Sequence, residues 1–241
     1  MTRRRWIAGE WSVDSAVLRN EQAAHLARVL RARVGQEFDI VAGETVRRGV
    51  IEAIREDAVE FSLHEAVPSS DALPLVIGLG MIRFERMEWA IEKLTELGIA
   101  GIVPLAAERS EKHLAQAAVK RVERWRKIAH ESAQQSRRGN VPKIFPPVSS
   151  AEWLRQPLDG LRLLLSESER VHSLQTALDA AEAAESKTIY AAVGPEGGWT
   201  ERELAGFSSE GWRPVGLGSR ILRAETAAIV VASLVSAWMG S

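Results

Sequence analysis

The chain has 241 residues, of which 46% are hydrophobic and 26% charged, and it carries a formal net charge of −1 and no cysteine. This length and composition are typical of a globular chain with one large domain or two smaller ones. The lack of cysteine excludes disulfides and thiolate metal sites and suits a reducing cytoplasm. The most apolar stretch, residues 224–239, is too short to span a bilayer, so we expect no membrane partner.

Residues 1–70 are predicted to form a small β domain. Three segments rich in Val, Ile and Phe are separated by Gly or Glu-Asp turns and read as strands of a small sheet or barrel: 37–42, 45–54 and 58–66. One helix precedes them, with Asn20 as its expected N-cap and Leu26, Val29 and Leu30 on its apolar face.

Arginines are concentrated in this first region. They are Arg3, Arg4, Arg5, Arg28, Arg31, Arg33, Arg47 and Arg48. Acidic residues of the region almost balance them in number, so a basic patch exists only if folding segregates the charges. Two interpretations stay open: solvated surface arginines, or a set of phosphate contacts.

Residues 71–241 follow a small, polar, proline-containing linker at 67–71 and alternate between strands and helices. The expected strands are 73–81, 99–105, 161–165, 188–193 and 213–217, and the expected helices are 85–97, 114–135, 173–184, 200–209 and one at the end of the chain. This alternation predicts a mostly parallel sheet covered on both faces. Residues 141–148, with three prolines, are expected to be a connector, and Ser150 to cap a short helix.

Two glycine-rich turns, at residues 194–198 and 216–219, each follow an expected strand, and so does the Ser166-Glu167 pair. Ligands of open α/β sheets bind beyond the carboxyl ends of the strands, so these three loops predict one binding site. Thr200 and Glu203 have the spacing of a capping box and predict a helix start between the two turns. The alternative is that the glycines only form tight connecting turns.

Several known sites are excluded by detail. There is no Gly-x-Gly-x-x-Gly, no Gly-Lys-Ser/Thr and no Gly-x-Ser-x-Gly, and the five histidines are too scattered to predict a metal site. What remains is a site of backbone amides and carbonyls in an apolar slot, which suits an adenosine-type ligand.

Two charged residues near this site invite a functional interpretation. Arg223 begins the last helix, where the helix dipole disfavours a cation, so we expect it to bind a phosphate or an anionic base. Glu196 lies inside the first glycine turn without an evident structural reason, whereas Glu225 is explained by the dipole. The last helix is apolar all round, which predicts burial in a core or in a subunit interface.

The C-terminal motifs closely resemble those of the RsmE family, bacterial ribosomal RNA methyltransferases of the SPOUT superfamily. The matching blocks are residues 194–198 (Gly-Pro-Glu-Gly-Gly), 216–218 (Gly-Leu-Gly) and 221–228 (Ile-Leu-Arg-Ala-Glu-Thr-Ala-Ala), with further matches at 86–89, 93–98, 108–110, 135–138 and 25–31. The chain departs from the family pattern where Arg83 and Arg86 replace common lysines and Gln134 replaces an expected glutamate.

The resemblance implies an α/β fold: a SPOUT-type parallel sheet with a C-terminal trefoil knot in residues 71–241, preceded by a PUA-like β-barrel for RNA binding in residues 1–70. It also implies a homodimer through the last helix. The implied activity is methylation, with S-adenosylmethionine as cofactor, of N3 of a uridine (uridine 1498) in 16S ribosomal RNA of the small ribosomal subunit. The alternatives are a SPOUT methyltransferase acting on another RNA, such as transfer RNA, and a non-catalytic RNA-binding protein of the same fold.

Residue roles follow from the resemblance and from the chemistry of uridine. Arg223 is expected to stabilise the anionic base or its phosphate, with Glu196 as a proton acceptor or an orienter of its loop. The expected cofactor-binding residues are Leu165, Ser166, Glu167, Val193, Gly194, Pro195, Glu196, Gly197, Gly198, Leu217, Gly218, Ser219, Ile221 and Leu222. The expected RNA-binding residues are Arg3, Arg4, Arg28, Arg31, Arg83, Arg109, Lys112, Arg137 and Arg138. No metal is expected.

Overall fold

A computed structural model describes residues 5–43, 45–68, 72–136, 138–182 and 188–240. The chain divides into two compact units. The first comprises residues 1–71 together with 133–140, and the second comprises 72–132 together with 141–241. Each unit has its own hydrophobic core.

The first unit is built on a six-stranded sheet. Its strands are β1 (Arg5–Ile7), β2 (Glu10–Trp11), β3 (Ser15–Arg19), β4 (Glu37–Ala42), β5 (Thr45–Ile54) and β6 (Ala58–Ala66), in the order β1-β4-β5-β6-β3-β2. Among the described residues, its strand pairs are antiparallel except β1 with β4. Alternate residues such as Leu18, Ile40 and Phe61 are buried between the sheet and its helix, as strand periodicity requires. The three predicted strands are confirmed, and β1 to β3 were not predicted.

The start of the helix in the first unit differs from the prediction. It consists of α1 (Asn20–Ala24) followed by one π-helical turn (His25–Val29). Asn20 is not the N-cap, because Arg19 occupies that position and Asn20 has a φ of 51°. Asparagine tolerates this left-handed conformation better than most residues, and its N–H donates to the carbonyl of Asp57. The prediction of Asn20 as cap was therefore wrong.

The second unit contains a seven-stranded sheet whose pairings are all parallel. Its strands are β7 (Leu73–Gly80), β8 (Ile99–Ala106), β9 (Lys143–Ile144), β10 (Val148–Ser149), β11 (Leu161–Leu165), β12 (Ile189–Val193) and β13 (Arg213–Val215). The order is β10-β8-β7-β12-β11-β13, with β9 beside β8. The predicted parallel sheet is confirmed, and the central strands are apolar runs because both of their faces are covered.

Helices cover this sheet. They are α2 (Phe84–Glu96), α3 (Lys112–Ala118), α4 (Val122–Gln135), α5 (Ser150–Trp153), α6 (Leu174–Glu182), α7 (Glu201–Ser209) and α8 (Ala224–Trp238). The helix predicted at 85–97 is confirmed as α2. Its buried face carries Met87, Ile91 and Leu94, and Gly98, with a φ of 77°, follows its end. Within the described chain, no helix is long and apolar enough to cross a membrane.

Three local predictions need correction. Residues 141–148 are not only a connector, since β9 and the first residue of β10 lie there and pair with β8 at the sheet edge, where proline is tolerated. Ser149, not Ser150, caps α5, through a capping box with Glu152. The predicted long helix 114–135 is divided into α3 and α4 by a 3₁₀ turn (Val119–Arg121). Residues 183–184 of the helix predicted at 173–184 lie outside the described residues.

The last helix returns from the edge of the sheet to its centre. The chain leaves β13 at the edge, and α8 then packs against α2 and β7. One face of α8 is buried, but Ser233, Leu234 and Ala237 are exposed in the single chain. Of the two predicted environments, burial on all sides in a core is therefore wrong, and a subunit interface stays a prediction. The trefoil knot also stays a prediction.

Candidate active site

A cavity of about 670 Å³ lies at the carboxyl ends of β11, β12 and β13. Its lining includes, among the residues predicted to bind a cofactor or act in catalysis, Leu165, Ser166, Glu167, Val193, Gly194, Pro195, Glu196, Gly197, Gly198, Leu217, Gly218, Ile221, Leu222 and Arg223. Ser219 is absent from the lining. The three predicted loops thus surround one cavity, whose volume falls in the range of small-molecule sites.

The loop after β12 is held tightly to its neighbours. A side chain at Gly194 would bring its Cβ to 3.1 Å from Nε1 of Trp199, and one at Gly80 would lie 2.4 Å from the backbone nitrogen of Pro195. Trp199 in turn donates a hydrogen bond of 3.1 Å to the carbonyl of Leu165. Glycine is therefore required where the loop passes β7 and the indole, and the indole joins this loop to the end of β11.

The loop after β11 is joined to the end of β13 in the same way. Ser166 N–H donates to the carbonyl of Val215 at 3.1 Å, and Gly216 N–H donates to the carbonyl of His172 at 2.9 Å. A Cβ at Gly216 would lie 2.4 Å from the carbonyl oxygen of Glu169. The N–H groups of His172 and Val171 hold the pKa of the Glu169 carboxyl below its usual value. The glycine turn at 216–218 thus supports a loop crossing as well as the cavity.

Glu203 anchors the start of α7 behind the cavity. Its buried carboxylate accepts hydrogen bonds from the N–H of Thr200 (3.0 Å), from the N–H of Glu108 (3.0 Å) and from the hydroxyl of Ser150 (2.7 Å). The predicted capping box of Thr200 and Glu203 is confirmed. Because Glu108 follows β8, one side chain joins three segments, and Arg109 beside it donates to the carbonyl of Gly197 at 3.0 Å.

Arg86 on α2 lines the cavity and contacts two carboxylates. One of its Nη atoms is paired with Glu196, and its Nε lies 3.7 Å from Oε1 of Glu225. The prediction that Glu196 lacks a structural partner was therefore wrong. Glu225 lies in the first turn of α8, where the dipole favours it as predicted, but it is also buried and ion-paired.

Arg223 occupies the N-cap position of α8 and is exposed at the cavity. Its guanidinium has no hydrogen bond or ion pair with any residue that the structure describes, and its side chain does not cap the helix. The same holds for Arg220 on the same loop, whereas Arg170 donates to the carbonyl of Gly218 at 3.3 Å. Arg220 and Arg223 therefore present free cations beside a helix N-terminus, an arrangement that attracts anions.

The predicted RNA-binding residues fall into four groups. Arg28, Arg31, Arg83 and Lys112 are exposed, Arg138 is half-buried, and Arg109 lines the cavity; Arg3, Arg4 and Arg137 lie outside the described residues. Two other arginines of the N-terminal cluster have structural partners: Arg47 donates to backbone carbonyls, including that of His64, and Arg48 pairs with Glu37. The cluster is thus partly structural.

Several lining residues were not predicted. They are Arg86, Ser168, Arg170, Trp199, Leu204, Val215, Arg220, Ala224 and Ala227. Trp199 directly follows the first glycine turn, and Arg220 directly precedes the segment 221–228, so adjacency in sequence was a usable signal for both. Arg86 belongs to a helix that carried no such signal, because it meets the cavity only through the tertiary fold.

Comparison with protein families defines the class. A model described as "RNA methyltransferase domain" matches residues 69–236, and one described as "RNA methyltransferase PUA domain" matches residues 18–63. Together they define an RNA methyltransferase with a PUA-like domain.

Similar proteins narrow the class to one family. Ribosomal RNA small subunit methyltransferase E of Synechocystis sp. is 31% identical over 98% of this chain and 77% of its own length, and that of Bacillus subtilis is 31% identical over 90% of this chain and 87% of its own. The crystal structure of the Neisseria gonorrhoeae enzyme of that name, bound to S-adenosyl methionine, has a TM-score of 0.82 at 27% identity, with 98% of each chain covered. A putative methyltransferase from Legionella pneumophila, in complex with the same cofactor, has a TM-score of 0.79 at 25% identity, covering 99% of this chain and 98% of its own.

The chain belongs to the ribosomal RNA small subunit methyltransferase E family. The resemblance seen in the C-terminal motifs is confirmed, as are the α/β fold class and the PUA-like first domain. The non-catalytic alternative is disfavoured, because the family is one of methyltransferases and a similar structure is bound to S-adenosyl methionine.

Proposed function

We propose that this protein transfers the methyl group of S-adenosylmethionine to N3 of a uridine, uridine 1498, in 16S ribosomal RNA of the small ribosomal subunit, and that it works in the cytoplasm. The observation that carries the proposal is the unpaired Arg223 at a cavity built from three strand-end loops. The names of its relatives and the cofactor bound in two similar structures support the same activity.

The cavity fits S-adenosylmethionine in size and in chemistry. Leu165, Leu217 and Ala227 contribute apolar surface for an adenine ring, and the loops at 194–198 and 216–219 contribute backbone groups for its polar edge. Gly218 has a φ of 104° and open space where a side chain would begin, so its backbone is accessible. When bound there, the cofactor supplies an electrophilic methyl group on a positively charged sulfur.

We assign Arg223 to the activation of the acceptor atom, N3 of the uridine. N3 of uridine carries a proton and becomes nucleophilic only when that proton leaves, so a cation beside the base lowers the barrier by stabilising the anion. A free guanidinium can also hold the base in line for transfer. Because N3 lies on the Watson–Crick edge, the target base must be unpaired or turned out of its stack. Glu196 is engaged by Arg86, so we assign it the orientation of its loop rather than proton transfer.

The surrounding RNA is proposed to be held through its phosphates. Arg28 and Arg31 of the first unit and Arg83 and Lys112 of the second are exposed cations, which suits sequence-independent phosphate contacts. Arg109 is proposed to act nearer the cavity. Arg138 and the undescribed Arg3, Arg4 and Arg137 remain part of this proposal from the sequence.

A homodimer through α8 is also proposed. Leu234 on α8 and Met239 just beyond its end are large apolar side chains that are exposed in the single chain. Large apolar side chains that are exposed on a single chain favour association with a second copy. Light scattering in solution tests the proposal: the wild type should have twice the mass of the chain, and Leu234→Asp should shift it towards the monomer.

Label transfer tests the activity. Purified protein is incubated with methyl-labelled S-adenosylmethionine in three separate reactions. They contain small ribosomal subunits lacking the modification, 16S ribosomal RNA extracted from those subunits, or transfer RNA. We expect label in 16S ribosomal RNA of the subunits. Label in transfer RNA alone would support the alternative substrate, and cofactor binding without any transfer would contradict the proposed activity.

A further inference from the structure

Arg86 links two walls of the cavity through two different carboxylates. Glu196 belongs to the glycine loop after β12, and Glu225 belongs to the first turn of α8, two residues after Arg223. We propose that Arg86 is a positioning residue that holds the glycine loop against the start of α8, and so sets Arg223 relative to the cofactor loop. This inference rests on the proposed methyl transfer for its catalytic consequence, but its structural part can be tested without it.

Glu225 needs a cation at this place. It is 5% exposed, and its Oε2 has no hydrogen-bond partner among the described residues. The N-terminus of α8 compensates part of its charge, and Arg86, whose Nε lies 3.7 Å from Oε1, is the cation paired with it. A buried carboxylate that loses its cation is strongly disfavoured, so the two residues are expected to be energetically coupled.

Glu196 gains order from the same guanidinium. Glu196 and Gly197, at the tip of their loop, are exposed, whereas Pro195 and Trp199 on either side of the tip are buried. The tip is restrained by the hydrogen bond from Gly198 N–H to the carbonyl of Pro195 at 2.8 Å, by the one from Arg109 to Gly197, and by the pair with Arg86. Removing Arg86 would take away one of these restraints and allow the loop to open.

The geometry suits arginine in particular. Arg86 uses one Nη atom towards Glu196 and its Nε towards Glu225, two donors held in one plane. A lysine has a single ammonium group on a flexible stem and would not hold both carboxylates with a rigid fork. Arg86→Lys is therefore a conservative variant that should keep the charge near Glu225 but recover only part of the positioning.

The test compares Arg86→Met, Arg86→Lys, Glu225→Gln and the double variant Arg86→Met/Glu225→Gln with a control, Arg124→Met. Arg124 is an exposed arginine that pairs with Glu88 of helix α2, so the control also removes a cation from a carboxylate of that helix. Arg121 also lies near Glu88, so the control leaves that carboxylate with a cation. Each protein is measured by urea unfolding, by hydrogen exchange of the Gly198 amide, by calorimetric binding of S-adenosylmethionine, and by kcat and KM for transfer.

We expect Arg86→Met to unfold at a lower urea concentration than the wild type and to exchange the Gly198 amide about tenfold faster. Its kcat should fall by up to about 100-fold, since small misplacements of reacting groups have effects of this size. The double variant should regain most of the urea resistance, because no buried charge is left unpaired, but not the slow exchange or the kcat. Arg86→Lys should have intermediate kcat, and Arg124→Met should resemble the wild type in all four measurements.

Two results would overturn the inference. If the double variant recovered exchange and kcat together with stability, Arg86 would only neutralise Glu225. If Arg86→Met left the Gly198 exchange unchanged, the loop would not depend on the arginine. A wild type that transfers no methyl group would refute the proposed function instead, and the exchange and unfolding measurements would still decide the role of Arg86.

Discussion

Two buried glutamates are next in sequence to residues that line the cavity, and their contacts differ. Glu203 and Glu225 are each 5% exposed, and each lies in the first turn of a helix that follows a glycine turn. Glu203 accepts hydrogen bonds from two backbone N–H groups and a hydroxyl. Glu225 has one ion pair at 3.7 Å and one oxygen without a partner among the described residues.

This difference in contacts predicts different roles for the two glutamates, one in stability and one in the site. Short hydrogen bonds from backbone groups hold Glu203 in one place, so it joins β8, α5 and α7 rigidly. Glu225 depends on a single side chain, Arg86, which it shares with a loop of the cavity. We therefore expect changes at Glu203 to act on stability, and changes around Glu225 to act on the site. The predictions below run from the largest expected effect to the smallest.

Glu203→Ala should lower the free energy of unfolding by about 3 kcal/mol, because it leaves the buried hydroxyl of Ser150 and the partly buried N–H of Glu108 without their acceptor. Urea unfolding measures this. Glu201→Ala, at an exposed position in the same turn, is the matched control and should change stability by no more than about 0.5 kcal/mol. Equal losses in the two variants would remove the contrast between the glutamates.

Arg223→Ala should reduce kcat for methyl transfer about 100-fold, or about 2.7 kcal/mol, while cofactor affinity stays unchanged. The reason is that its guanidinium is free in the described structure and is assigned to the acceptor base. Arg213→Ala, at an exposed arginine of β13, provides the control. Loss of cofactor affinity together with transfer would instead assign Arg223 to the cofactor pocket or to the fold.

Thr200→Ala should cost about 1 kcal/mol of stability, since it removes the hydroxyl that accepts from the N–H of Glu203 at the start of α7. Thr200→Ser keeps that hydroxyl and should recover most of the loss. Thermal or urea unfolding decides between them. If Thr200→Ser were no more stable than Thr200→Ala, the hydroxyl that caps α7 would not be the source of the lost stability.

Glu225→Gln should change the free energy of unfolding by less than about 1 kcal/mol, because replacing an incompletely paired buried charge by a neutral group is often nearly neutral. Glu203→Gln, with the same chemical change at the same burial, should cost clearly more. The pair of variants is compared by urea unfolding. A larger loss at Glu225 than at Glu203 would reverse the comparison between the two residues.

The sequence predicted those parts of the site that depend on local signals. Each of these signals, a strand end, a glycine turn or the spacing of Thr200 and Glu203, is contained within a few residues. The three loops and the start of α7 could therefore be predicted before the fold was known.

Other features depend on contacts between distant residues and could not be predicted. Arg86 and Glu196 are 110 positions apart, and Glu203 meets Glu108 at a separation of 95. No local pattern indicates such pairs, so Glu196 seemed to lack a partner. The short strands β9 and β10 were missed because prolines surround them, although pairing at a sheet edge tolerates proline. Asn20 was assigned as a cap from its type alone, whereas its conformation is left-handed.

The most direct test of the account is the identity and position of the methylated nucleotide. Small subunits from cells lacking the modification are treated with the protein and S-adenosylmethionine, and their 16S ribosomal RNA is digested for mass spectrometry and copied by reverse transcriptase. A methyl group at N3 blocks the Watson–Crick edge, so the account predicts 3-methyluridine and one new stop, at uridine 1498, which Arg223→Ala abolishes. Methylated 16S RNA without a stop, or with a stop elsewhere, would contradict it.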